Sequence, residues 1–206
     1  MSDSYCWDSD YSTGNFRHWE PNLSSPELAA LIAAGFFREN TKILDVGCGG
    51  GLDAIFIAKY GFDVTGVDLS KEAVKIAKNR ADDAEVQVDW LIGSVFDLPI
   101  ETETFDFIVD RGLFHVIEDV DRPRYSSEVF RILKPSGCAV IRGAGEEVGR
   151  DRFNPLTEQA IDKFFPKTKW ERGEVVPIPL YSTAGSIDAR ILFLRKSAKL
   201  QRQYLY

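Results

Sequence analysis

Two stretches of the chain carry residue types and spacings suited to holding a nucleoside. Ile43-Leu44-Asp45-Val46-Gly47-Cys48-Gly49-Gly50-Gly51-Leu52 reads as a short buried strand that runs into a glycine-dense turn and then a helix. Val64-Thr65-Gly66-Val67-Asp68-Leu69 reads as a second buried strand ending in a carboxylate. Glycines allow backbone groups to approach a ligand closely, and Asp68 stands where two ribose hydroxyls need an acceptor. One carboxylate accepting from both hydroxyls is a charge-assisted, bidentate arrangement.

A third stretch, Asp110-Arg111-Gly112-Leu113-Phe114-His115-Val116-Ile117, places an acid, a cation and an imidazole after another apolar strand. Ligands in open parallel sheets sit beyond the C-terminal strand ends, so Asp110, Arg111 and His115 are the candidate catalytic residues. Asp110 and His115 suit proton transfer. Arg111 suits holding an anionic group or lowering the pKa of a thiol. Plainer roles stand beside these: a salt bridge for Arg111, and a structural hydrogen bond for a histidine in an apolar run. Cys48 reads as a small side chain in the glycine turn rather than a nucleophile.

The elements that must position these residues alternate along the chain. Strands are expected at Lys42 to Val46, Phe62 to Val67, Val86 to Ile92, Phe105 to Val109 and Cys138 to Ile141, with two more around Glu174 to Ile178 and Ala189 to Leu194. Helices are expected from Pro26, capped by Ser25, and over Leu52 to Tyr60, Ser70 to Arg80, Pro123 to Leu133 and Thr157 to Phe165. Strands alternating with helices predict a doubly wound α/β sheet of about seven strands, mostly parallel, with helices on both faces. The final two strands are joined by Tyr181 to Gly185, a loop too short for a crossover, so that pair is expected to be antiparallel.

Composition narrows the function classes. The chain has 206 residues, enough for one domain with a substantial core. A net charge of −7 argues against a nucleic-acid groove, which needs clustered Lys and Arg. Three separated cysteines, Cys6, Cys48 and Cys138, form neither a disulfide framework nor a metal cluster, so no metal is expected. An acidic N-terminus without an apolar core, and no apolar run near 20 residues, predict a cytoplasmic protein with no membrane partner. Oligomeric state is not readable.

The spacing Asp45-x-Gly47-x-Gly49-x-Gly51 resembles the first motif of class I S-adenosylmethionine (SAM) methyltransferases, whereas the dinucleotide fingerprint needs a small residue where Leu52 stands. Val64 to Ser70 is similar to their second motif, Gly93 to Pro99 to their adenine-contacting segment, and Arg131 to Gly137 to the turn before their fifth strand. The resemblance runs in order over residues 26 to 143. It implies a Rossmann-like fold, SAM as cofactor with S-adenosylhomocysteine as product, and a small-molecule methyl acceptor. It also implies a cofactor site of Trp19, Asp45, Gly47, Cys48, Gly49, Gly51, Asp68, Leu69, Ser94, Val95, Phe96 and Asp110. Relatives often carry aspartate where Ser94 stands, so either Ser94 contacts adenine or Asp97 substitutes.

The Asp-Arg-Gly run, with aromatics behind it, resembles thiopurine and tellurite-resistance-type methyltransferases and also thiol and halide methyltransferases. That resemblance implies a thiol or other soft nucleophile as acceptor. An O- or N-methyltransferase using His115 or Asp110 as base is the alternative; a nicotinamide-dependent oxidoreductase and a SAM-binding partner without turnover are the rivals. The expected organisation is one methyltransferase domain over residues 1–206. Residues 1–24 form a lid in which Trp19 faces the sulfonium and Trp7 or Tyr11 excludes water. Residues 25–143 form the cofactor-binding core, and 144–206 supply a substrate-side loop and the C-terminal strands. Gly143 to Pro155, with Arg142, Glu146, Glu147, Arg150, Asp151 and Arg152 in or beside it, is expected to be a mobile second lid.

Overall fold

The apolar runs predicted as strands lie side by side in the computed structural model, which describes residues 6–20, 23–148, 153–183 and 185–198. In chain order the elements are α1 (Trp7–Thr13), α2 (Pro26–Ala33), β1 (Lys42–Val46), α3 (Leu52–Ala58), β2 (Asp63–Asp68), α4 (Lys71–Asp83) and β3 (Asp89–Ile92). They continue with β4 (Phe105–Arg111), α5 (Arg122–Ile132), β5 (Leu133–Ala144), α6 (Glu158–Phe164), β6 (Trp170–Arg172), β7 (Val176–Ser182) and β8 (Gly185–Lys196). The sheet order is β3-β2-β1-β4-β5-β8-β6, and β7 also pairs with β8. Pairs among β1 to β5 are parallel. β8 runs antiparallel to all three of its partners.

Both faces of the sheet are covered, as near-continuous apolar strands require. Leu44, Val46, Ile108 and Ile141 pack with Tyr125, Val129 and Ile132 of α5 and Ile161 and Phe164 of α6. Ile43, Phe107, Val109 and Val140 point the other way, onto Leu28 of α2 and Ala54 and Ile57 of α3. The period of two along each strand thus divides the core into two layers. No helix among the described residues is long and apolar enough to cross a membrane.

Several boundaries differ from expectation. Ser70 caps α4 by accepting from the Ala73 amide, but Ser25, at the N-cap of α2, makes no such bond because its hydroxyl is turned to Asp53. β3 loses the residues before Asp89. β5 begins at Leu133, opposite Phe105, and bulges through Lys134 to Gly137 before pairing resumes at Cys138 with Phe107. The sheet has eight strands because the outer side of β8 is shared: β6 pairs with Leu194 to Lys196, and β7 with Gly185 to Ile191. β7 and β8 extend through most of the loop predicted at Tyr181 to Gly185 and meet at Ser182 and Gly185. The N-terminal aromatics, which show no clean periodicity, form α1 and a 3-10 turn at Asn15–His18. Tyr11 and Phe16 stack at 4.9 Å and pack on Ala73 of α4.

Candidate functional site

The order of the strands reverses beside β1, between the partners β2 and β4, and such a switch point leaves a crevice at the C-terminal strand ends. A cavity of about 600 Å³ opens there. The β1–α3 turn, the ends of β2 and β4, the segment after β3, the N-terminal segment and the β7–β8 hairpin all contribute to its wall.

The turn is built around glycines for two separate reasons. Gly49 has φ +53°, and a Cβ there would lie 2.4 Å from the Tyr11 hydroxyl and 2.7 Å from a Glu20 oxygen. Gly51 has φ +79°, and its Cβ would lie 2.5 Å from the Trp90 ring. Left-handed backbone and close neighbours together exclude side chains. Asp68 accepts the Gly49 amide at 2.8 Å through one oxygen and the Ser70 amide at 2.9 Å through the other. Burial pushes its carboxyl up to about 6 despite those bonds. Asp45 accepts the Ala54 amide at 3.2 Å, and burial with the nearby Asp53 carboxylate pushes it well above the usual range.

Gly47, Cys48, Gly49, Asp45, Asp68, Leu69, Ser94, Val95, Phe96 and Trp19 all line this one cavity. Gly51 is buried behind it, against Trp90 and Ala77. Burial and the Asp68 carboxylate raise the Cys48 thiol well above its ordinary value, so it stays protonated, a poor nucleophile. Ser94 reaches the wall and its hydroxyl accepts the Phe96 amide, whereas Asp97 is exposed and outside the lining. A carboxylate with lone pairs to spare, close backbone amides and apolar walls at Leu69, Val95 and Phe96 fit the hydroxyls, polar tail and flat base of a nucleoside-bearing cofactor.

At the far side the three candidate catalytic residues separate. Asp110 is fully buried and does not line the cavity. Its oxygens accept the Leu113 amide at 2.9 Å, the Phe114 amide at 3.1 Å and the Tyr125 hydroxyl at 2.6 Å. Burial raises it to about 6, and it organises the turn after β4 rather than facing a ligand. Arg111 does reach the wall, but its guanidinium donates to the Leu23 carbonyl at 3.3 Å and stands 3.9 Å from Asp53.

His115 also lines the cavity, with Phe153 against its ring at 4.4 Å. Its Nδ1 accepts the Ala144 amide at 2.7 Å. Burial and the Arg122 charge lower it to about 3, so the ring is neutral and its one proton sits on Nε2. That tautomer offers a donor and has no lone pair free for a base.

Sequence reasoning missed Asp53, Glu20 and the hairpin, whereas Tyr11, expected in the N-terminal lid, lines the cavity. Asp53 is 4% exposed and accepts from Ser25 and, at 2.8 Å, from Arg142. Burial works against its charge, but Arg142 and Arg111 hold the carboxyl below its ordinary range. Arg142, expected beside a mobile lid, is 1% exposed in β5. Gly149, Arg150, Asp151 and Arg152 of that expected lid lie outside the described residues. Leu180, Tyr181, Ser186 and Ile187 of the hairpin wall the cavity, and Thr183 at its tip donates to the Arg17 carbonyl at 3.0 Å. Trp7, Tyr11, His18 and Trp19 of the N-terminal segment, which the hairpin tip touches, also line the cavity, with Trp19 edge-on to Trp7 at 6.2 Å.

A family profile described as "Methyltransferase domain" matches residues 43–137. The ubiquinone biosynthesis O-methyltransferase of Mesorhizobium japonicum is 34% identical over 170 residues, covering 78% of this chain and 68% of that protein. The Xanthomonas oryzae pv. oryzae protein of the same name is 35% identical over 130 residues, covering 59% of this chain and 53% of that one. The match to this second relative thus spans about half its length. A solved SAM-dependent methyltransferase from Methanosarcina mazei superposes with a TM-score of 0.72 at 20% identity, over 81% of this chain and 97% of that chain, a likeness of fold.

Proposed function

The chain belongs to the class I SAM-dependent methyltransferases, and on that premise we propose that it methylates a weakly acidic hydroxyl of a small-molecule acceptor. The observation that carries this reading is the joining of two environments in one cavity. The Asp68 and glycine-turn end suits the cofactor, and the His115, Phe153, Tyr181 and Ile187 end suits a flat, largely apolar acceptor. The names of the curated relatives favour oxygen as the atom methylated.

When bound, SAM supplies a methyl group activated by its sulfonium. Asp68 holds the ribose hydroxyls, Leu69, Val95 and Phe96 enclose the adenine with Ser94 at its polar edge, and Asp45 with the glycine-turn backbone holds the amino-acid end. Trp19 covers the site and limits access of water. His115 donates a hydrogen bond from Nε2–H to the acceptor oxygen and so orients it. His18, an exposed imidazole of the wall, receives the hydroxyl proton. Asp110 acts through the turn it fixes, and Arg111 is held in the wall by the Leu23 carbonyl and Asp53.

A thiol acceptor is the second reading. The engaged Nδ1 of His115 and the buried carboxyl of Asp110 favour it, because a thiol ionises near pH 8.5 and needs little base help. Mass spectrometry of reactions with SAM and a panel of phenols, thiols and amines tests both. Methyl ethers, formed at a rate that His18→Gln lowers severalfold while S-adenosylhomocysteine still binds, support the first reading. Methyl thioethers whose rate follows the thiol's own ionisation support the second. No product from the panel despite tight S-adenosylhomocysteine binding would turn the chain into a binding partner without turnover.

A further inference from the structure

We infer that Asp8 and Glu20 are positioning residues for the cofactor, tying closure of the N-terminal segment to the two amides that Asp68 holds; this rests on the reading of Asp68 as the ribose acceptor. Asp68 fixes the Gly49 amide on one side and the Ser70 amide on the other. The N-terminal segment grips the same two places from above. Asp8 accepts the Ser70 hydroxyl at 2.6 Å and the Glu72 amide at 3.2 Å. Glu20 accepts the Gly50 amide at 2.7 Å, next to Gly49. Its second oxygen lies 2.5 Å from Arg80 Nη1, which also donates to the Gly50 carbonyl at 2.9 Å.

One carboxylate therefore holds each end of the segment; Tyr11 and Trp19, which wall the cavity, lie between them, and Trp7, also in the wall, directly precedes Asp8. A ligand that fixes Asp68 fixes Gly49 and Ser70, and so presents both grips in register. A glycine turn or a β2–α4 junction out of place breaks one of them. The linkage is reciprocal: the factor by which cofactor stabilises closure equals the factor by which closure tightens cofactor.

The test uses the full chain as wild type, Asp8→Asn, Glu20→Gln and the control Asp10→Asn, a carboxylate on the same helix that receives Asn15 instead. Calorimetry gives the affinity for S-adenosylhomocysteine, and amide hydrogen exchange gives the protection of residues 6–20 with and without it. Glu20→Gln and Asp8→Asn should each weaken binding by about tenfold, within the ordinary range of coupling between sites. They should lose a matching factor of ligand-induced protection in residues 6–20, while Asp10→Asn stays close to wild type. Unchanged affinity, or weaker affinity with protection intact, overturns the inference while leaving the cofactor site standing. A wild type with no affinity for S-adenosylhomocysteine overturns the proposed function and the inference together. Arg80→Lys, which keeps the charge but not the guanidinium Nη1 that bridges Glu20 and the Gly50 carbonyl, repeats the test if Glu20→Gln does not fold.

Discussion

Nδ1 of His115 accepts the amide of Ala144 at 2.7 Å, so the histidine after β4 is pinned to the end of β5. The bond spends the ring's lone pair on the backbone. His115→Leu should leave that buried amide without an acceptor and cost about 1–3 kcal/mol in urea unfolding at pH 7. The ring is neutral in the folded state, with its pKa lowered to about 3, and ordinary, near 6.5, when unfolded. Between those values the unfolded chain binds more protons, so the histidine's contribution is full above 6.5 and is lost as pH falls toward 3. The stability difference between wild type and His115→Leu should therefore shrink from pH 7 to pH 5.

Asp68 carries the opposite shift. Its carboxyl is raised to about 6 by burial, and hydroxyl donors would favour its charged form. Binding of S-adenosylhomocysteine should then release a proton below pH 6, and affinity should rise as pH climbs through 6 and level off above it. Calorimetry in two buffers of different ionisation heat measures the proton directly. Asp68→Asn should abolish the release, and Asp68→Ala should weaken binding by about 3 kcal/mol, the value of one or two charge-assisted bonds.

Arg142 and Asp53 form a buried pair at 2.8 Å, with Glu27 3.7 Å from the same guanidinium. Arg142→Met should destabilise by about 3–5 kcal/mol, because it strands a carboxylate that is 4% exposed. Adding Asp53→Asn should recover part of that loss. A thermal-denaturation cycle over the four variants reads the coupling, and strict additivity would contradict a direct pair.

Trp19 is 39% exposed and meets Trp7 and Tyr11 edge-on. Trp19→Ala should lower the melting temperature little and turnover severalfold, since the ring covers the cavity more than it fills a core. Equal loss in both measurements would assign it to packing instead.

Local pattern made much of this molecule legible. The run Lys42 to Val46 became β1 at those residues because Ile43, Leu44 and Val46 supply the apolar side chains that a parallel strand buries on both faces. The glycine spacing and the terminal Asp68 were readable for the same reason: turn geometry and strand ends are properties of a few adjacent residues. The paired C-terminal strands followed from a connection too short to cross over. β6 was not legible, because three residues, Trp170 to Arg172, carry no period of their own and are a strand only through β8. β7, expected around Glu174 to Ile178, spans Val176–Ser182 instead, and it accommodates Pro177 and Pro179 because a strand on the sheet's edge tolerates residues that cannot donate.

The sequence by itself determined that a carboxylate-ended strand would stand beside a glycine turn in a wound sheet, since those signals lie within windows of about ten residues. Only the tertiary structure decided which charged and polar side chains face a ligand and which are consumed by the fold. Asp53 meets Arg142 across 89 positions, Glu20 meets Gly50 across 30, and Thr183 meets Arg17 across 166. Each partner is chosen by how whole strands and helices pack, and a buried polar group takes whichever partner that packing brings within reach.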